Sequence, residues 1–140
     1  MKKWIPLLVI CLLAIGMMSY SKLKVSGVAG IRLECADLCE DGEIPAGLFA
    51  EKTYTEPQEI RVFVTAINKA KRIKGELDYG ASFRMEVNLK NGKSRHYVLN
   101  ISDSKEEGIR GLLVESKDSG KGYSIPPKNH EELRKLIYGE

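Results

Sequence analysis

Apolar and charged side chains alternate from Ile31 onward, with Ile31, Leu33 and Cys35 set against Arg32 and Glu34, a two-residue period that predicts a half-buried strand. A second strand is expected over Leu48 to Tyr54, where Phe49, Thr53 and Tyr54 favour extended backbone. The period then changes. Ile60, Phe63, Ile67 and Ala70 recur at spacings of three and four, a helical stripe that the sequence carries as far as Ile73, with Gly75 as its stop. Thr55 followed by Gln58 reads as a capping box, and Pro57 suits a first turn, where its missing N–H has no partner to lose. Ile60 to Ala66 also alternates and is rich in β-branched residues, so a strand competes there; the cap and the helix-favouring stretch from Ala66 to Lys71 decide for a helix.

The strongest β signal flanks Asn91-Gly92, with Phe83, Met85, Val87 and Leu89 before it and Tyr97, Leu99 and Ile101 after it. A two-residue turn would put the two apolar sets on opposite faces. A three-residue loop of Lys90, Asn91 and left-handed Gly92 pairs Met85 with Tyr97 and Phe83 with Leu99, so that the apolar faces coincide. Leu112 to Glu115 and Gly122 to Ile125 follow as two more strands around Lys117-Asp118-Ser119-Gly120, a turn by composition. Pro126-Pro127 ends the sheet, Asn129 with Glu132 repeats the capping pattern, and Leu133, Leu136 and Ile137 form a short helical stripe closed by Gly139. This order predicts an α+β fold, an antiparallel sheet of about six strands with two helices packed on one face.

Ahead of these elements stands Met-Lys-Lys and an apolar run from Trp4 to Met18, broken only by Pro6 and Gly16. About 15 apolar residues after a basic start suit a secretory signal and fall short of the roughly 20 of a full span. Residues 1–24 are therefore expected to be a signal peptide or an N-terminal membrane anchor, and 25–140 an extracytoplasmic domain joined through a linker at Val25 and Gly27. Ser19 and Ser21, or Gly27 and Ala29, offer small residues for a signal peptidase, while Trp4 and Tyr20 flank the run as interfacial anchors would. Cleavage and retention both stay open. Lipid attachment at Cys11 is rejected, because Ile10 precedes it and the apolar run before it is too short.

Charge narrows the partners. Without Lys2 and Lys3 the 22 basic residues become 20 against 19 acidic ones, too balanced for a nucleic-acid footprint. Expected partners are the membrane, through the N-terminal segment if it is retained, and an envelope component or protein of unknown identity.

Cys35 and Cys39 stand four apart in a compartment where a disulfide persists. They either bridge or stay reduced, with Cys35 packed on the inner face of its strand. Glu34, Asp37, Glu40, Asp41 and Glu43 cluster carboxylates around Gly42, but an EF-hand register would place Cys39 and Leu48 at ligand positions, so a solvated acidic loop fits better. His96 and His130 lack metal-ligand spacing, and no metal or cofactor is expected. Lys69, Lys71, Arg72 and Lys74 read as the last turn of the first helix, complementing its dipole, ahead of a basic patch for anionic lipid. No nucleophile stands with a recognisable base motif.

Thr55-Glu56-Pro57-Gln58-Glu59-Ile60, Ala66-Ile67 with Ala70, Asn91-Gly92-Lys93, Tyr97-Val98-Leu99, Gly111-Leu112-Leu113-Val114 and Gly122-Tyr123-Ser124-Ile125-Pro126 resemble the YhfM-like domain of small exported proteins from bacilli, over roughly residues 30 to 138. The resemblance implies the fold and an N-terminal export or lipoprotein signal, and it supplies no active site; a lipobox cysteine, which the lipoprotein members carry, is absent here. The expectation is a non-enzymatic envelope binding domain. An exported hydrolase is the runner-up, and a structural accessory subunit the third reading.

Overall fold

Paired alternation becomes one sheet in the computed structural model, which describes residues 22–40, 48–75 and 77–139, the side chains of Cys39 and Glu40 excepted. The apolar run, Cys11 and the loop containing Asp41 and Glu43 lie outside the described residues. The strands are β1 (Val28–Cys35), β2 (Glu51–Tyr54), β3 (Lys71–Arg72), β4 (Phe83–Leu89), β5 (Ser94–Asn100), β6 (Gly111–Glu115) and β7 (Gly122–Ile125). All pair antiparallel in the order β2-β1-β4-β5-β6-β7-β3. The helices are α1 (Asp37–Glu40), α2 (Pro57–Lys69) and α3 (Pro127–Tyr138), and a single 3-10 turn covers Val25–Gly27. The fold is α+β.

Ile31 and Leu33, Phe83, Met85 and Val87, and Tyr97 and Leu99 are buried on one face of the sheet, as the two-residue period requires. Both longer helices cover that face. Phe63 of α2 meets Tyr54 at 5.0 Å between ring centroids, and Tyr54 pairs with Ile31. Tyr138 of α3 meets Phe83 at 6.2 Å, and its hydroxyl donates to the Ile101 carbonyl at 2.5 Å. The central hairpin has the predicted register, Phe83 with Leu99 and Met85 with Tyr97. Gly92, at φ +86°, makes the tip: its N–H donates to the Leu89 carbonyl at 3.0 Å, and the Leu89 N–H donates to Lys93 at 2.9 Å.

Four sequence expectations need correction. The first long helix stops at Lys69 instead of Ile73, because Ala70 turns extended at ψ 138° and the next residues pair with β7. Lys71 and Arg72 thus form the seventh strand, and the Ile73 N–H donates to the Gly122 carbonyl at 2.9 Å, satisfying backbone groups that a longer helix would leave bare at the β7 edge. Neither capping box forms. Glu56 and Pro126 are the N-caps, without side-chain hydrogen bonds, and Pro57 and Pro127 begin the helices with φ already set and no N–H to satisfy. Asn129, read as a cap, is buried inside the first turn of α3. Finally, the expected linker is part of the fold: Leu23 and Val28 are buried in the main core, with Val25 packed against it.

The other face is partly covered as well. The segment from Ile73 to Ser82 crosses from β3 at one edge back to β4, and Asn100 pins it by donating to the Gly80 carbonyl at 2.5 Å and accepting from the Ser82 N–H at 2.8 Å. Leu77 fills the space that a side chain at Gly122 would need, which leaves neighbouring Val114 only 1% exposed on the face away from the helices. Beside this covered half, Arg32 lies 3.0 Å from Glu86, 3.4 Å from Glu51 and 4.0 Å from Glu34.

Candidate functional site

Asn68, in the last turn of α2, reaches 45 residues back along the chain and grips the backbone of Leu23 from both sides. The Leu23 N–H donates to Asn68 Oδ1 at 3.1 Å, and Asn68 Nδ2 donates to the Leu23 carbonyl at 2.8 Å. A side-chain amide presents the same donor and acceptor pair as a peptide unit, so Asn68 acts like one residue of a partner strand. Leu23, 7% exposed, is held against the core at the point where the chain comes in from the apolar run.

Beside this clamp lies a cleft of about 200 Å³ between the end of α2 and the neighbouring ends of β5, β6 and β7. Leu23, Ile67 and Leu113 supply apolar walls, and Arg95, Glu115 and Tyr123 supply polar groups. Alternation places these groups: Arg95 and Tyr97 share the inward face of β5, and Glu115 is the direct partner of Tyr97 on β6. Tyr97 is 6% exposed, and burial raises its phenol above the ordinary range while the adjacent Arg95 guanidinium opposes the rise. On the β3 side, Arg72 stacks over the Tyr123 ring at 5.8 Å. The cleft offers two cations, Lys22 and Arg95, one carboxylate and two phenols over an apolar floor, in a volume below the roughly 300 Å³ at which ligand pockets usually begin. That suits a single projecting group better than an extended substrate.

The residues singled out in the sequence fall elsewhere. Cys35 is disulfide-bonded, with its partner outside the described side chains. His130 is 2% exposed and accepts the Ser102 N–H at Nε2, 3.0 Å away; burial depresses its pKa, and it pins α3 to the end of β5. His96 is exposed on the opposite face, 3.8 Å from Glu86, whose carboxyl is held below the usual range chiefly by its hydrogen bond to Arg32. Among the described residues no group of three or more His, Cys, Asp or Glu is placed to hold a metal ion, and no helix is long and apolar enough to cross a membrane. Of the four basic residues read as one helical turn, Lys69 alone is on α2; Lys71 and Arg72 form the exposed edge strand, where charge and brevity discourage pairing with another chain. Sequence reading missed the cleft. Asn68 carried no local signal, and Arg95, Glu115 and Tyr123 looked like ordinary members of alternating strands.

A family model described as YhfM protein matches residues 49–140. The chain belongs to the YhfM family. The matched stretch holds β2 to β7 with α2 and α3, and so every residue of the cleft except Lys22 and Leu23. β1 precedes the matched stretch, yet it lies between β2 and β4, so the YhfM-family sheet is completed here by a strand the family model does not span. No curated protein and no solved structure matches the chain.

Proposed function

We propose that this YhfM-family chain is a non-enzymatic binding domain of the cell envelope, exported or anchored by its N-terminal apolar run, with the folded part facing outward and recognising a protein or other envelope component. The observation that carries the reading is the Asn68 clamp on Leu23. It joins the fold directly to the residues that follow the apolar run and puts a small, mixed polar and apolar cleft at that junction. A projecting side chain or sugar fits the cleft's size, and Arg95, Tyr97 and Tyr123 suit such contacts, since tyrosine and arginine are enriched where binding energy concentrates. In the same reading Cys39 is the partner of Cys35, the bridge closing the turn between β1 and α1.

The runner-up is an exported hydrolase. It would have to work with Glu115 as the carboxylate of the cleft, whereas glycoside hydrolysis, for one, uses two. The two readings separate on one experiment: a photo-crosslinking residue placed at Tyr123 in intact cells, with Lys105, which does not line the cleft, as the control. A discrete adduct from Tyr123 and none from Lys105 is the expected result. Turnover of a peptide or glycan panel that disappears in Glu115→Gln would promote the hydrolase. Protease added outside wall-stripped cells should digest the part from Lys22 onward, and complete protection would reverse the orientation.

A further inference from the structure

Near-neutral net charge hides a strong separation of charge. Three neighbouring clefts share Arg95, and their rims carry Lys22, Lys24, Lys90 and Lys117, with Glu115 the lone carboxylate among their lining residues. Five basic residues therefore meet one carboxylate among the residues lining these clefts. The elements are locked together at this end. The Lys90 N–H donates to the Gly27 carbonyl at 2.9 Å, tying the β4–β5 tip to the N-terminal segment, and the Ser116 N–H donates to the His96 carbonyl at 3.0 Å, tying in the β6–β7 turn. Lys93 adds a further exposed cation at the tip.

These cations also differ from those on the solvated sheet face, where Arg32 and Arg84 are paired with carboxylates. Among the described residues no salt bridge engages Lys22, Lys24, Lys90, Arg95 or Lys117. The chain leaves for the apolar run from this same end. Residues 19–22 separate Met18 from Leu23, so the clamp at Leu23 is tethered within about 17 Å of the run's end.

We propose that this end of the domain is a docking face for the phosphate headgroups of an anionic lipid bilayer, seated there by Lys22, Lys24, Lys90, Lys93, Arg95 and Lys117. The proposal rests on the envelope reading above and adds a defined orientation to it. Basic side chains close to an anionic surface are attracted strongly within a Debye length, about 8 Å at physiological salt, and the short tether holds the face within reach of that layer. The cleft beside Asn68 then opens toward the membrane, not away from it.

The test is lysine acylation of the full chain in vesicles of phosphatidylcholine alone and in vesicles with roughly one-third phosphatidylglycerol, read by peptide mass spectrometry. Lys24, Lys90, Lys93 and Lys117 should react about fivefold more slowly on the anionic vesicles, with the difference lost in about 0.5 M salt. Lys52, Lys105 and Lys128 should react equally on both. Lys90→Glu combined with Lys93→Glu and Lys117→Glu, all exposed turn positions, should abolish the protection of Lys24. Equal labelling of the four lysines on both vesicles overturns the docking face, even where the chain floats with both and the anchor reading survives. Flotation with anionic vesicles alone keeps the docking face and removes the anchor, whereas flotation with neither removes both. Equal protection by soluble polyphosphate would overturn a bilayer in favour of a phosphate polymer.

Discussion

The Asn68 clamp can be isolated by a thermodynamic cycle. Two chains are compared, one beginning at Lys22 and one at Val25, both N-terminally acetylated, each with Asn68 and with Asn68→Ala. In the longer chain the substitution removes both hydrogen bonds to Leu23, at 3.1 and 2.8 Å. At about 1 kcal/mol net for each, the expected loss is about 2 kcal/mol. In the shorter chain Leu23 is absent, so the same substitution should cost under about 0.5 kcal/mol, leaving a coupling of roughly 1.5 to 2 kcal/mol. Burying Leu23 contributes about 1.5 to 3 kcal/mol and ordering the backbone of residues 22–24 costs about 1 to 2 kcal/mol each, terms that oppose one another and cancel from the coupling, which is the quantity predicted. Urea unfolding at neutral pH measures all four, with unchanged slopes as the check on two-state behaviour. Equal costs of Asn68→Ala in both chains would refute the reasoning and assign the residue's contribution to α2 itself.

Three further outcomes are expected. Leu99→Ala, at a position 1% exposed and paired with Phe83, should lower stability by about 2 to 5 kcal/mol in denaturant unfolding, and a cost near zero would contradict the hairpin register. Burial lowers the His130 pKa, so the unfolded chain binds the proton first; stability should be full above about pH 6.5 and decline as pH falls through that value toward the lower folded pKa. His130→Gln, which keeps an acceptor for Ser102, should flatten that part of the stability profile, and an identical profile would show that His130 does not set it. Denatured without reductant, the full-length chain should take up one alkyl group, at Cys11, and three after reduction; three before reduction, or a bridge from Cys35 to Cys11, would remove the pairing with Cys39.

The parts of the fold that depend on local period were readable. Phe83, Met85, Tyr97 and Leu99 announce their common face by alternation, and only one loop length at Asn91-Gly92 brings the two apolar sets together. β3 was not readable, since two exposed basic residues have no period, and their extended conformation comes from the free edge of β7, brought alongside by the fold. The helix starts were misread, by one residue at Thr55 and by three at Asn129, because both resemble caps, while the neighbouring prolines set the first turn without one. Least visible was the clamp, in which an asparagine recognises backbone 45 residues away and no pattern in either segment points to the other. The basic face was hidden for a related reason. Lys22, Lys90 and Lys117 are scattered along the chain; antiparallel pairing brings the turns of Lys90 and Lys117 together, and the Asn68 clamp with the Lys90 bond to Gly27 holds the segment after Lys22 beside them.

The clamp also has a mechanical side. From Leu23 the chain passes through one 3-10 turn into β1, an inner strand with β2 on one side and β4 on the other. A pull on the N-terminus therefore loads the Asn68 contact first, as a two-bond latch. Once it opens, force along β1 bears on two antiparallel ladders together, from Ile31 to Glu34 against β2 and from Val28 to Cys35 against β4. A tether attached to an edge strand such as β3 could peel away one pairing at a time. Attached to β1, it shears many hydrogen bonds in parallel, so the latch gives way and re-forms under loads that leave the sheet intact.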